Sequence, residues 1–264
     1  MKKLTLLSLQ LLLLVLISQP ALAQSMQGYY MHIDYVNVEK DDIPDFETHI
    51  ENLLKPVQEL RINEEVIAEW YIYKVAYPGT REPSYNYVVV SLSQDLTDFD
   101  DSNEQIFNRM SQMSDTQMAE SFQNMLIPYR SELWRINNSV LPSDSAKVSK
   151  YFMMDYMDVR LGMEYAYQMM EDEVALPIHE YRMEIERMNG WELFSLIVPG
   201  GTEYGYNFAT GNYYSDLRDF EFGFTEEVIR QSHPGTDVNE INETFAKTRD
   251  LVRSEVWELI DFVR

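Results

Sequence analysis

Between Tyr29 and Val38 the chain is rich in aromatic and β-branched residues, and the run stops at the charged turn Glu39-Lys40-Asp41-Asp42, which predicts a strand. From Ile43 to Asn63 the period changes. Phe46, Ile50, Leu53, Leu54, Val57 and Leu60 recur at helical spacing. Pro56 falls inside that pattern, and a proline removes one backbone hydrogen bond, so the helix should kink or break there. Val66 to Tyr77 and Tyr85 to Leu92 read as a hairpin across a loop that contains Pro78-Gly79-Thr80. Asp95-Leu96-Thr97-Asp98-Phe99 opens a mostly helical stretch to about Tyr129, and Glu132 to Ile136 alternates as a closing strand. The predicted order is β-α-β-β-α-β.

The pattern then returns. Residues Tyr30 to Phe99 align without a gap on Tyr151 to Phe220 at a constant offset of 121. Identical pairs include Tyr30/Tyr151, Asp34/Asp155, Pro56/Pro177, Arg61/Arg182, Trp70/Trp191, Asn86/Asn207 and Phe99/Phe220. After a drift of two residues, Arg130-Ser131-Glu132-Leu133-Trp134 recurs as Arg253-Ser254-Glu255-Val256-Trp257. The second copy closes with a strand over Glu255 to Phe262. The expected organisation is a leader over 1–23, a first repeat over 24–140, a linker over 141–149 with Pro142, Ser143, Asp144 and Ser145, and a second repeat over 150–264.

Each β-α-β-β-α-β unit implies a four-stranded antiparallel sheet with helices on one face and an apolar face that must be covered. The element order and the duplication resemble the dimeric α+β barrel superfamily. The expected fold class is therefore α+β: two ferredoxin-like repeats packed sheet to sheet as an intramolecular dimeric α+β barrel. No signature residue carries the resemblance. It implies a range of functions, including cofactor-independent monooxygenases, haem-degrading enzymes, lactone isomerases and proteins without known activity, so the fold does not select among them.

Composition adds location and excludes some chemistry. Lys2 and Lys3, the apolar run Leu4 to Ile17 and Ala21-Leu22-Ala23 form the pattern of a secretory signal peptide cut after Ala23. The expected location is periplasmic or secreted, with no stable membrane span once the leader is removed. The chain has no cysteine, so stability must come from the core, and thiolate ligands and a cysteine nucleophile are excluded. The net charge of -23 repels nucleic acid, and the aromatic fraction of 13% argues for a packed core. The repeats predict a monomer with two pseudo-symmetric halves.

Candidate chemistry rests on repeated polar and aromatic positions. Tyr30 and Asp34 share a strand face, as do Tyr151 and Asp155. A mid-strand carboxylate needs a partner, and Arg130 and Arg253 are the expected ones, with Glu132, Trp134, Glu255 and Trp257 at the same parity. Trp70, Trp191, Asn86 and Asn207 complete the candidate ligand-binding set. Structural ion pairs and plain aromatic core explain the same residues without a ligand. His32, His49, His179 and His233 do not repeat and have no metal-ligand spacing, and the glycosylation sequons at Asn137 and Asn242 are common by chance. The expectation is no metal and no cofactor, with a small organic ligand bound in cavities of the fold. The alternatives are a cofactor-independent monooxygenase or isomerase, and a structural or protein-interaction module.

Overall fold

The computed structural model describes residues 25–77, 84–100, 102–142 and 148–264. The expected leader, the Pro78-Gly79-Thr80 turn and the middle of the expected linker lie outside the described residues.

In the first half, β1 (Tyr30–Val36) leads to helix α1 (Ile43–His49), a π-helical turn (Ile50–Leu54) and α2 (Lys55–Asn63). Then come β2 (Glu69–Tyr77), β3 (Tyr87–Ser93), helices α3 (Ser102–Met113) and α4 (Thr116–Met125), and β4 (Pro128–Val140). The second half follows the same order, with β5 (Tyr151–Val159), α5 (Glu164–Met170), a π-helical turn (Glu171–Ala175), α6 (Leu176–Glu184), β6 (Gly190–Val198), β7 (Phe208–Tyr214), α7 (Glu226–Ser232), α8 (Val238–Thr248) and β8 (Arg249–Val263).

The expected kink at the prolines takes the form of a π-helical turn in both halves. Pro56 and Pro177 sit at the start of α2 and α6, directly after the widened turn. That turn accommodates the missing N–H and the ring bulk without ending the helix. Both helices then stop at a residue in the left-handed region, Glu65 (φ 58°) and Glu186 (φ 57°). Val66 N–H donates to the Arg61 carbonyl, and Arg187 N–H to that of Arg182, closing Schellman-type ends.

The expected packing of two sheets face to face is overturned. The eight strands form one closed antiparallel barrel in the order β1-β3-β2-β8-β5-β7-β6-β4. The cause lies in β4 and β8, which are 13 and 15 residues long, well beyond the short closing strands predicted. The first part of β4 pairs with β1 and its last part with β6. The first part of β8 pairs with β5 and its last part with β2. Each half therefore covers the other's open edge, and closure removes exposed edges altogether.

The strand period of two sorts side chains between two environments. Met31, Ile33 and Tyr35 of β1 point into the barrel with Tyr73, Val88, Trp134, Phe152, Tyr156, Phe194 and Trp257. On the outer face, Val36, Trp70, Ile72 and Tyr87 pack beneath Phe46, Leu53, Leu54, Val57 and Phe122 of the first half's helices. Met157, Trp191, Leu193 and Phe208 pack beneath Tyr167, Ile178, Val228 and Phe245 of the second. Gly211 on β7 is needed for interior packing, because an added Cβ would lie 2.6 Å from the Phe152 ring and 2.8 Å from that of Phe194.

Candidate functional site

The two layers separate the candidate residues into groups with different chemistry. At one end of the barrel interior lies a buried polar network. Glu132 Oε2 accepts from Tyr35 Oη at 2.7 Å and from Trp134 Nε1 at 3.0 Å, and Glu132 Oε1 accepts from Tyr204 and Tyr206. Glu255 accepts from Tyr85 Oη at 2.5 Å, Arg253 Nε at 2.9 Å and Trp257 Nε1 at 3.1 Å. The Tyr35 and Tyr156 hydroxyls meet at 2.8 Å, and these residues stand at the repeat offset of 121. Arg130 lies 3.9 Å over the Tyr35 ring and Arg253 4.1 Å over that of Tyr156. Burial, with neighbouring phenols and carboxylates, pushes the Tyr35 and Tyr156 hydroxyls well above the usual phenol range. Its hydrogen bonds cross between the halves, so it reads as a structural clasp, although Arg130 Nε and Arg253 Nη2 have no hydrogen-bond partner among the described residues.

Arg130 does not meet Asp34. The strand register places Arg130 opposite Tyr35, pointing inward, and Asp34 opposite Ser131, pointing outward. Asp34 instead accepts from Ser131 Oγ and lies 3.4 Å from His32 Nε2. Asp155 likewise accepts from Ser254 and, at 3.0 Å, from Asn212 Nδ2. Burial raises the Asp155 carboxyl above its ordinary range. Asn86 and Asn207 tie their own strand ends by bonding both the N–H and the carbonyl of Val38 and Val159. Tyr30 is half-buried, and Tyr151 packs edge-on against Phe220 with ring centres 6.1 Å apart.

A cavity of about 280 Å³ opens between the outer sheet face and the helices of the first half. From β1 it takes His32, Asp34 and Val36, from β2 and β3 Trp70, Val89 and Ser91, and from the π turn and α2 Leu54, Gln58 and Arg61. Phe99, Ile106, Met110, Gln123 and Leu126 close the far wall. The widened turn sets this wall, because Leu54, Gln58 and Arg61 follow one another along a single helix face. Of the candidate set, the structure brings Asp34 and Trp70 to this cavity and places the other residues elsewhere. Arg61, Gln58, Ser91 and His32 line it and were not among the candidates. The available signal was Arg61, a repeated arginine four residues after Val57 and seven after Leu54, on the apolar face of a predicted helix.

In the second half the matching positions carry other side chains that contact one another. Counterparts at the offset of 121 are Met157 for Val36, His179 for Gln58, Thr210 for Val89, Asn212 for Ser91 and Tyr214 for Ser93. His179 stacks on Trp191 with ring centres 5.2 Å apart and meets Phe224 edge-on at 5.2 Å. Arg182 Nη2 donates to Tyr214 Oη at 2.6 Å, and Nη1 lies 3.2 Å from His179 Nδ1. Burial and the Arg182 charge hold the His179 imidazole well below its ordinary range, so it stays neutral.

No protein-family model matches the chain, and no curated protein matches it in sequence. Solved structures match in fold. A "putative monooxygenase" from Lactobacillus acidophilus NCFM superposes with a TM-score of 0.54 at 8% identity, over 90% of this chain and 96% of that one. One from Fusobacterium nucleatum gives 0.53 at 9% identity, over 90% and 94%. A haem-binding protein from Thermus thermophilus gives 0.51 at 12% identity, over 92% and 95%. At 8–12% identity these likenesses show a shared fold and leave activity open.

Proposed function

We propose that this protein binds a small organic molecule in the cavity of its first half. The observation that carries this reading is the asymmetry between the halves. Matching backbones hold an open, largely apolar volume in one half and interlocked side chains in the other. A volume of about 280 Å³ walled by Trp70, Leu54, Phe99, Ile106 and Met110, with a few converging polar groups, is the common form of a small-molecule site. One solved structure of this fold is described as haem-binding; of the four histidines, His32 lines the cavity, with its Nε2 3.4 Å from Asp34, whereas His179 is stacked between Trp191 and Phe224 and His233 meets the Val174 carbonyl. We further propose, from the sequence pattern, that the halves arose by duplication and that the chain is exported as a monomer after cleavage at Ala23.

The test is a titration with the neutral fluorescent probe N-phenyl-1-naphthylamine. The expected result is saturable binding of one equivalent, lost in the triple variant Val36→Met/Ser91→Asn/Ser93→Tyr, which copies the lining of the closed half. Binding that survives the triple variant unchanged contradicts the reading.

A further inference from the structure

Resting on that reading, we infer that the ligand is a monoanionic organic acid, a carboxylate on an apolar or aromatic body, whose carboxylate is taken by Arg61. Arg61 is 1% exposed and lines the cavity. Among the described residues its one side-chain hydrogen bond is from Nη1 to Gln58 Oε1 at 2.9 Å. Among those residues, too, the acids that pair with arginines and lysines nearby pair with others: Glu64 with Arg109 and Glu47 with Lys74. Asp98, which accepts from Ser93, acts on the guanidinium only through space and makes no hydrogen bond to it among the described residues, so a buried cation is left without a contacting anion, a costly state unless one meets it. Burial draws its proton affinity down to about 10, so it remains a cation at neutral pH.

The second half shows what is missing. The Nε atoms of Arg61 and Arg182 are both without partners among the described residues, as are the indole nitrogens of Trp70 and Trp191, so those atoms do not distinguish the halves. Nη2 does. On Arg182 it donates to the Tyr214 phenol at 2.6 Å, whereas on Arg61 it has no acceptor among the described residues. The residue at the place of Tyr214 is Ser93, whose hydroxyl is turned to Asp98. The substitution therefore removes an oxygen acceptor from the guanidinium, and the same half holds the open cavity. A ligand carboxylate restores the lost bond and neutralises the charge together, and a guanidinium edge suits it geometrically. Among the described residues Arg61 is the one arginine or lysine of the lining, and Asp34 already sets a negative charge on the sheet side, so a single negative charge on the ligand is favoured over two. Asp34 does not compete for the guanidinium, because it is held by Ser131 and His32 on the sheet side.

Isothermal titration with phenylacetate and its neutral isostere phenylacetamide tests the assignment. Phenylacetate is expected to bind one to one and at least tenfold more tightly than the amide. Arg61→Met should abolish that preference while leaving amide affinity within about twofold. Ser93→Tyr supplies the phenol of the closed half and should also remove the preference, with a raised melting temperature in the absence of ligand; it decides the matter if Arg61→Met fails to fold. Equal affinities for acid and amide, a preference that survives both variants, or a protein that takes the neutral naphthylamine probe but not phenylacetate would overturn the assignment and leave the cavity reading standing. Failure of all three compounds to bind would overturn both.

Discussion

At the residue scale, burial and partner count decide what each charged group does. Arg182 and Arg61 occupy matched positions, yet among the described residues the first has two side-chain hydrogen-bond partners and the second one, because Ser93 stands in place of Tyr214 while Gln58 takes over from His179. Glu192 illustrates the same rule for an acid. It accepts from Tyr213 Oη at 2.5 Å inside the barrel, while its other oxygen has no partner among the described residues. Burial pushes its carboxyl from an ordinary 4.5 up to about 7. A group with a raised folded-state pKa keeps its proton while the unfolded chain has lost it, so stability falls as pH rises between the two values. Wild-type stability should therefore drop from about pH 4.5 to about pH 7 and then level, with Glu171, also raised to about 7 by burial, adding to the slope. Glu192→Gln should match wild type near pH 4.5 and exceed it by on the order of 2–3 kcal/mol by pH 7 in urea titrations. A difference independent of pH would contradict this.

At the element scale, much of the chain was legible in its sequence. The strand and helix periods over Tyr30–Phe99 located β1, β2, β3 and the long helix, and Pro56 and Pro177 marked where that helix departs from regular form. The lengths of β4 and β8 were not legible. Beyond Ile136 the run Asn137-Asn138-Ser139 is polar, and its strand conformation comes from pairing with β6 of the other half, a contact far away in sequence. The same gap misplaced the Asp34 partner, since parity within one strand does not say which residue faces which across a pair; register does. Because the buried Glu132, rather than Asp34, pairs with the half-buried Arg130 and accepts from three tyrosines, the energetic weight shifts to it. Glu132→Leu should cost about 3–5 kcal/mol by stranding Arg130 and its donors, whereas Asp34→Ala should cost about 1 kcal/mol, the scale of an ordinary hydrogen bond. Chemical denaturation that ranks the two variants in the opposite order would refute this division.

At the scale of the whole molecule, one barrel made from two similar halves lets a single frame serve two purposes. Tyr85 of the first half bonds Glu255 of the second, and Tyr206 of the second bonds Glu132 of the first, so this end of the interior ties the halves together. The proposed binding site lies instead on an outer face, where the helices cover the strands. There the halves diverge: on one side His179 stacks on Trp191 and Arg182 bonds Tyr214, and the other holds a cavity with Arg61 in its wall. The most direct measurement is a crystal structure of the protein grown with saturating phenylacetate. The account predicts one ligand per chain, between β1, β3 and α2 of the first half, its carboxylate within hydrogen-bond distance of Arg61 Nη2. A ligand inside the barrel or in the second half, or a first-half cavity left without ligand, would contradict it.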